Sequence, residues 1–75
     1  MNNVRDTEYL KKFGANLKKL RESYGMTQEE LCFSAGLSKN QIGNIERGEV
    51  NATISTVYSL SKAFKVPVAE LFNFD

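Results

Sequence analysis

One short stretch gathers the side chains best suited to directional hydrogen bonding: Ser38-Lys39-Asn40-Gln41-Ile42-Gly43-Asn44-Ile45-Glu46-Arg47. On a helix turning about 100° per residue, Ile42 and Ile45 point the same way and mark the buried side. The opposite side carries Asn40, Gly43, Asn44 and Arg47, flanked by Lys39 and Gln41, and holds no carboxylate. Amides can pair in bidentate fashion with adenine N6/N7, and Lys or Arg with guanine O6/N7. Gly43 costs about 1 kcal/mol in a helix relative to alanine. On an outer face it would let the backbone approach a surface closely. A solvated polar face with a tolerated glycine is the plainer alternative. Gln28 offers a second anchor, in the first turn of the preceding segment, where free backbone N–H groups and a positive dipole end favour a phosphate. Glu29 and Glu30 oppose that contact if they face the same way.

Other chemistries lack their parts. The chain has one cysteine and no histidine, so neither an internal disulfide nor a Cys/His zinc site is available. The carboxylates are scattered, no nucleophile has a base beside it, and no glycine-rich loop follows a strand. The expectation is no catalytic residue, no metal, no cofactor and no small-molecule ligand. Cys32 reads as a small buried hydrophobe in a reducing cytosol. No apolar run reaches the roughly 18 residues of a membrane span, and Met1-Asn2-Asn3-Val4-Arg5-Asp6 lacks the pattern of a signal peptide. A cytoplasmic protein without membrane contact is expected.

The elements that position the polar face are marked by caps and glycines. Leu10, Phe13, Leu17, Leu20 and Tyr24 recur at helical spacing, predicting a first helix from about Thr7 to Tyr24, started near Asp6 or Thr7 and ended by Gly25. Thr27 with Glu30, and Ser38 with Gln41, form two capping boxes. They open a second helix to about Ala35, burying Leu31, Cys32 and Ala35, and a third to Arg47, with the Gly36-Leu37 turn between them. Two capped helices of that length around a glycine turn have the sequence form of a helix-turn-helix. Thr53 caps a fourth helix, with Ile54, Val57, Leu60, Ser61 and Phe64 facing inward. Pro67 starts a last helix, Val68 to Phe72. No strand pattern or repeat occurs, so the fold is predicted to be all-α: a compact domain of five helices.

Leu20-Arg21, Gly25 to Leu31, Ala35-Gly36-Leu37-Ser38, Ile42, Ile45-Glu46-Arg47-Gly48 and Val66 to Phe72 together resemble the phage-repressor-like (Xre-type) helix-turn-helix regulators. The resemblance covers about residues 10–72. It implies a single lambda-repressor-like DNA-binding domain over 1–75, with 1–9 as an N-terminal extension without an assignable motif. Among small members, the chain is similar to the controller proteins of restriction–modification systems. The resemblance implies that the third helix enters the major groove of double-stranded DNA. Lys39, Asn40, Gln41 and Asn44 would then contact bases, while Gln28, Ser38, Arg47, Asn51 and Thr53 hold the backbone. It also implies a structural ion pair between Arg21 and Glu46. Cys32 and Phe33 depart from the family pattern, which usually has a small and a polar residue there.

A charge of only +1 supplies no strong basic field. Residues 1–24 carry six basic and three acidic groups, whereas residues 25–49 carry two and four. One recognition helix contacts too few base pairs for specificity against a genome. A homodimer on a near-palindromic operator is therefore expected, with half-sites about 34 Å apart. Tyr58, Val68, Leu71, Phe72 and Phe74 are more large apolar groups than a short terminal helix can bury, and are assigned to the dimer interface. Completion of the monomer core is the alternative for these five. Phe33 is a second candidate for exposed apolar surface, unless the N-terminal stretch covers it. The competing functional class is a protein-interaction module on the same scaffold, antitoxin-like or adaptor-like, with little DNA binding.

Overall fold

A computed structural model describes residues 5–75; Met1–Val4, and with them the start of the predicted N-terminal extension and of the segment read for a signal peptide, lie outside the described residues. Five α-helices follow in order: α1 (Thr7–Ser23), α2 (Gln28–Ala35), α3 (Lys39–Glu46), α4 (Ile54–Phe64) and α5 (Val68–Leu71). No strand occurs among the described residues, and no helix there is long and apolar enough to cross a membrane.

Side-chain caps set the helix starts. Asp6 accepts from the Tyr9 N–H, Thr27 from Glu30, Ser38 from Gln41 and Thr53 from Thr56. Both capping boxes close reciprocally, with the Glu30 and Gln41 side chains accepting from the backbone N–H of Thr27 and Ser38. Each satisfies donors that a helix start leaves without partners.

The four longer helices end alike. Met26 donates to the Arg21 carbonyl, Leu37 to Cys32, Glu49 to Asn44 and Val66 to Ser61, each bond closing over a left-handed residue. That residue is Gly25, Gly36 or Gly48 in the first three cases. In α4 it is Lys65, at φ 59°, which no glycine signal announced.

A core of Phe13, Leu17, Leu31, Ile42, Ile45, Leu60, Phe64 and Leu71 draws on all five helices. α1 packs on α3 and α5, α2 on α3 and α4, and α4 on α5. Two glycines bring α1 against α3. A methyl group on Gly14 would strike the backbone carbonyls of Ile45 and Glu46. At Gly48, φ is 72° and a Cβ would meet the Lys11 backbone at 2.7 Å. Neither obstacle is only a side chain that can swing away, so larger residues there would push α1 off α3.

Several apolar positions differ from the sequence expectation. Leu71, assigned to a dimer interface, is fully buried, because α5 folds back onto α1 and α4 and carries it into the core. Asn16 holds that fold-back by donating to the Glu70 and Leu71 carbonyls at 3.1 and 2.9 Å. Phe74 is half-buried, its ring 5.3 Å from Tyr9. Ile54, expected inward, is 89% exposed: as the first residue of α4 it sits outside the buried core, on the rim of a surface groove that it lines with Val68 and Phe72. Tyr24 is half-exposed and meets Phe64 edge-on at 5.3 Å. Cys32 is half-buried, with its thiol donating to the Glu29 carbonyl. Phe33 is 89% exposed, so no described residue covers it.

Candidate nucleic-acid interface

The first turn of α3 presents Lys39, Asn40 and Gln41 to solvent, as its amphipathic pattern requires. Ile42 and Ile45 anchor the opposite side in the core. Gln41 is only partly available. Its amide oxygen accepts from the Ser38 N–H at 2.9 Å, which leaves its NH2 group as the outward-capable part. Ser38 Oγ is likewise occupied as the acceptor for Gln41 N–H.

Farther along α3, Asn44 and Arg47 do not stand apart. Arg47 Nη2 donates to Asn44 Oδ1 at 2.7 Å, and its Nε donates to Glu49 Oε1 at 3.1 Å. The guanidinium lies over Gly43, where an added Cβ would sit 3.0 Å from Nη1. Gly43 is therefore buried under Arg47, not open on the outer face as its position on the wheel suggested. The missing side chain makes room for an arginine of the same helix. Asn44 is half-buried beside it.

Beside this face, a groove of about 180 Å³ runs between α3 and the loop leading to α4, bordered by Gln41, Asn44, Asn51 and Thr53. Thr53 is committed to capping α4 and also donates to the Thr56 hydroxyl at 3.0 Å. Asn51 is exposed on the rim. The groove thus joins residues assigned from sequence to base and backbone contacts.

Gln28 turns inward. Its Nε2 donates to Glu46 Oε1 at 3.0 Å, which joins the start of α2 to a buried ion pair. In that pair Arg21 Nε meets Glu46 Oε2 at 2.6 Å and Arg21 Nη2 meets Oε1 at 3.1 Å. Arg21 Nη1 donates to the Met26 carbonyl at 2.8 Å. The bidentate geometry leaves no buried side-chain polar atom without a partner among the described residues. The hydrogen bond to Glu46 raises the Arg21 pKa above its ordinary value. A raised cation pKa means that Arg21's own contribution to stability is fully present below the ordinary guanidinium range and is lost only at still higher pH. The ion pair read from sequence is present, and Gln28 belongs to it.

Three of the five residues assigned to self-association do come together. Tyr58, Val68 and Phe72 line an apolar groove of about 350 Å³ with Ala52, Val57 and Ile54. Leu71 lies beneath in the core and Phe74 packs against Tyr9 instead. The sequence reading missed Ile54, although Ile54 and Tyr58 are four residues apart and mark one apolar strip at the start of α4. Among the described residues no cluster of His, Cys, Asp or Glu is placed to hold a metal ion.

The sequence and fold match known proteins over most of the chain. The helix-turn-helix family HTH_3 matches residues 17–71. An HTH-type transcriptional regulator, y4dJ, of Sinorhizobium fredii is 40% identical over 58 residues, 77% of this chain and 75% of that protein. The control protein C.SmaI of Serratia marcescens is 38% identical over 56 residues, 75% of this chain and 67% of that protein. The crystal structure of the restriction–modification controller protein C.AhdI from Aeromonas hydrophila superposes with a TM-score of 0.83 at 38% identity. It covers 84% of this chain and 96% of its own. The controller protein C.Esp1396I, crystallised as a tetramer with its natural 35 base-pair operator, superposes with a TM-score of 0.78 at 34% identity, over 85% and 84% of the two chains. With the capped α2–turn–α3 unit and a match over nearly three quarters of its length, the chain belongs to the helix-turn-helix family HTH_3.

Proposed function

We propose that the chain is a sequence-specific, double-stranded-DNA-binding transcriptional regulator that acts in the cytoplasm as a homodimer on a near-palindromic operator. The observation that carries this reading is the outer face of α3: Lys39, Asn40 and the NH2 of Gln41 lead, with Asn44 and Arg47 one turn behind, on a helix held by a buried ion pair. In this docking α3 lies in the major groove. Lys39, Asn40, Gln41 and Asn44 reach base edges, while Ser38, Arg47, Asn51 and Thr53 border the phosphates. Gln28 acts through Glu46, holding α2 and α3 in register, instead of through a direct phosphate contact.

The apolar strip of Ile54, Tyr58, Val68 and Phe72 supplies the twofold contact. Similarity to C.SmaI and C.AhdI supports a controller of a restriction–modification system that acts on its own upstream DNA.

Gel shift on the upstream DNA of the chain's own gene tests the proposal. Binding is expected to weaken steeply as salt rises, and Asn44→Ala to relax base preference at one position of each half-site by about 1–3 kcal/mol. Failure to shift any genomic fragment at low salt would overturn the reading in favour of the interaction module.

A further inference from the structure

Glu49 stands beside the recognition helix, and its placement is fixed at three points. Its N–H donates to the Asn44 carbonyl at 2.9 Å as the closing bond of α3. Its own carbonyl accepts from Arg5 Nη2 at 2.9 Å, which ties the N-terminal segment to this loop. Its carboxylate accepts from Arg47 Nε at 3.1 Å. Both partners of that last contact are more than half exposed, with side-chain accessibilities of 57% each. A surface pair of this kind adds little to fold stability. What it does instead is occupy the cation that caps the C-terminus of α3.

We propose that Glu49 is an intramolecular competitor for DNA phosphate: it holds Arg47 against Asn44, so that a phosphate approaching Arg47 competes with a carboxylate already on its Nε. The inference rests on the DNA-binding reading above. The geometry meets the requirements of a competitor. A carboxylate and a phosphate oxygen both accept from guanidinium N–H groups. The loop backbone is pinned on both sides of Glu49, so the carboxylate stays within reach of Arg47. The guanidinium has a fixed resting place over Gly43, with Asn44 Oδ1 as its second partner. Exchange of Glu49 for phosphate leaves the number of ion pairs unchanged. It releases a cation from DNA but returns one, in part, to the freed carboxylate. The device lowers affinity for any duplex while leaving the base-contacting amides of the first turn untouched.

Glu49→Gln, Arg47→Ala and the double variant, measured by fluorescence anisotropy on operator and scrambled duplexes across a salt series, test the assignment. Glu49→Gln is expected to bind both duplexes several-fold more tightly and to steepen the plot of log affinity against log salt by up to about 0.9 per engaged Arg47. In the Arg47→Ala background the same change is expected to leave affinity and slope nearly unaltered. An equal gain in both backgrounds would mean that Glu49 acts only through net charge, and would overturn the assignment. Unchanged binding by Glu49→Gln would also overturn it while leaving the DNA-binding reading intact. Absence of wild-type binding at every salt concentration would defeat both. Circular dichroism of the three variants verifies that the helices remain.

Discussion

Arg21 and Glu46 place opposite charges where water barely reaches, with side-chain accessibilities of 10% and 4%. Desolvation of two such groups is costly, and their mutual attraction offsets it only with full hydrogen bonding. Here the bidentate contact, the Met26 carbonyl and the Gln28 amide complete the set. Removal of one partner leaves a buried unpaired charge, so Glu46→Ala is expected to cost about 3–5 kcal/mol. Arg21→Met with Glu46→Leu, which removes both charges and keeps the volume, is expected to recover most of that loss. Urea denaturation of the three proteins provides the check, and a double variant no more stable than Glu46→Ala would contradict the account. The motif half of the chain is net acidic, but one of its acids is spent inside the fold and another sits on Arg47. The charge available for a ligand therefore differs from the charge counted along the chain.

At the scale of helices, the termini were the most legible part of the sequence. Capping boxes and helix-ending glycines act between residues three to six apart, so Thr27, Ser38, Gly25, Gly36 and Gly48 carried their meaning locally. The α1, α3 and α5 ends fell one residue earlier than expected, at Ser23, Glu46 and Leu71, because the next residue already belongs to the closing turn. What the pattern hid depends on partners distant in the chain. Leu71 is buried through the return of α5, Ile54 is left on the rim of the groove between α4 and α5, and Gln28 is drawn inward by Glu46. Gly43 was assigned to an open face because helical phase ignores the side chain of Arg47 four residues on. The α4 terminus was also hidden, since Lys65 does there what glycine does elsewhere. A side chain in the left-handed region is strained by about 1 kcal/mol. Lys65→Gly is accordingly expected to raise stability by a few tenths to 1 kcal/mol, less the added freedom of the unfolded chain. Thermal melting registers it as an upward shift of a few degrees, and a lower midpoint would show that the lysine is not strained.

For the whole molecule, the same chain must complete a core and, in the proposed dimer, present an apolar strip to a second copy. Phe72 serves both ends, since its ring packs 4.9 Å from Phe13 while its edge lines the groove. Substitution there confounds folding with association. Ile54 separates them because it is almost fully exposed and contributes nothing to the core. Ile54→Asp is expected to leave the melting behaviour of the isolated subunit within about 0.5 kcal/mol of wild type and to shift sedimentation at micromolar concentration from dimer to monomer. A wild-type protein that sediments as a monomer would refute the role given to this strip. The buried contacts around Glu46 also bear on how the molecule opens. Arg21, Met26, Gln28 and Glu46 tie α1, the lead-in to α2, α2 itself and α3 to one point. No one of these helices can then detach without breaking the charges of another, so their amide protons are expected to exchange with solvent only through global unfolding. The single turn of α5, held at its end by Asn16, is expected to exchange through fraying at a much lower free energy. The half of the domain that carries the proposed DNA-reading face would therefore be its slowest to breathe, and the segment beside the proposed dimer strip its quickest.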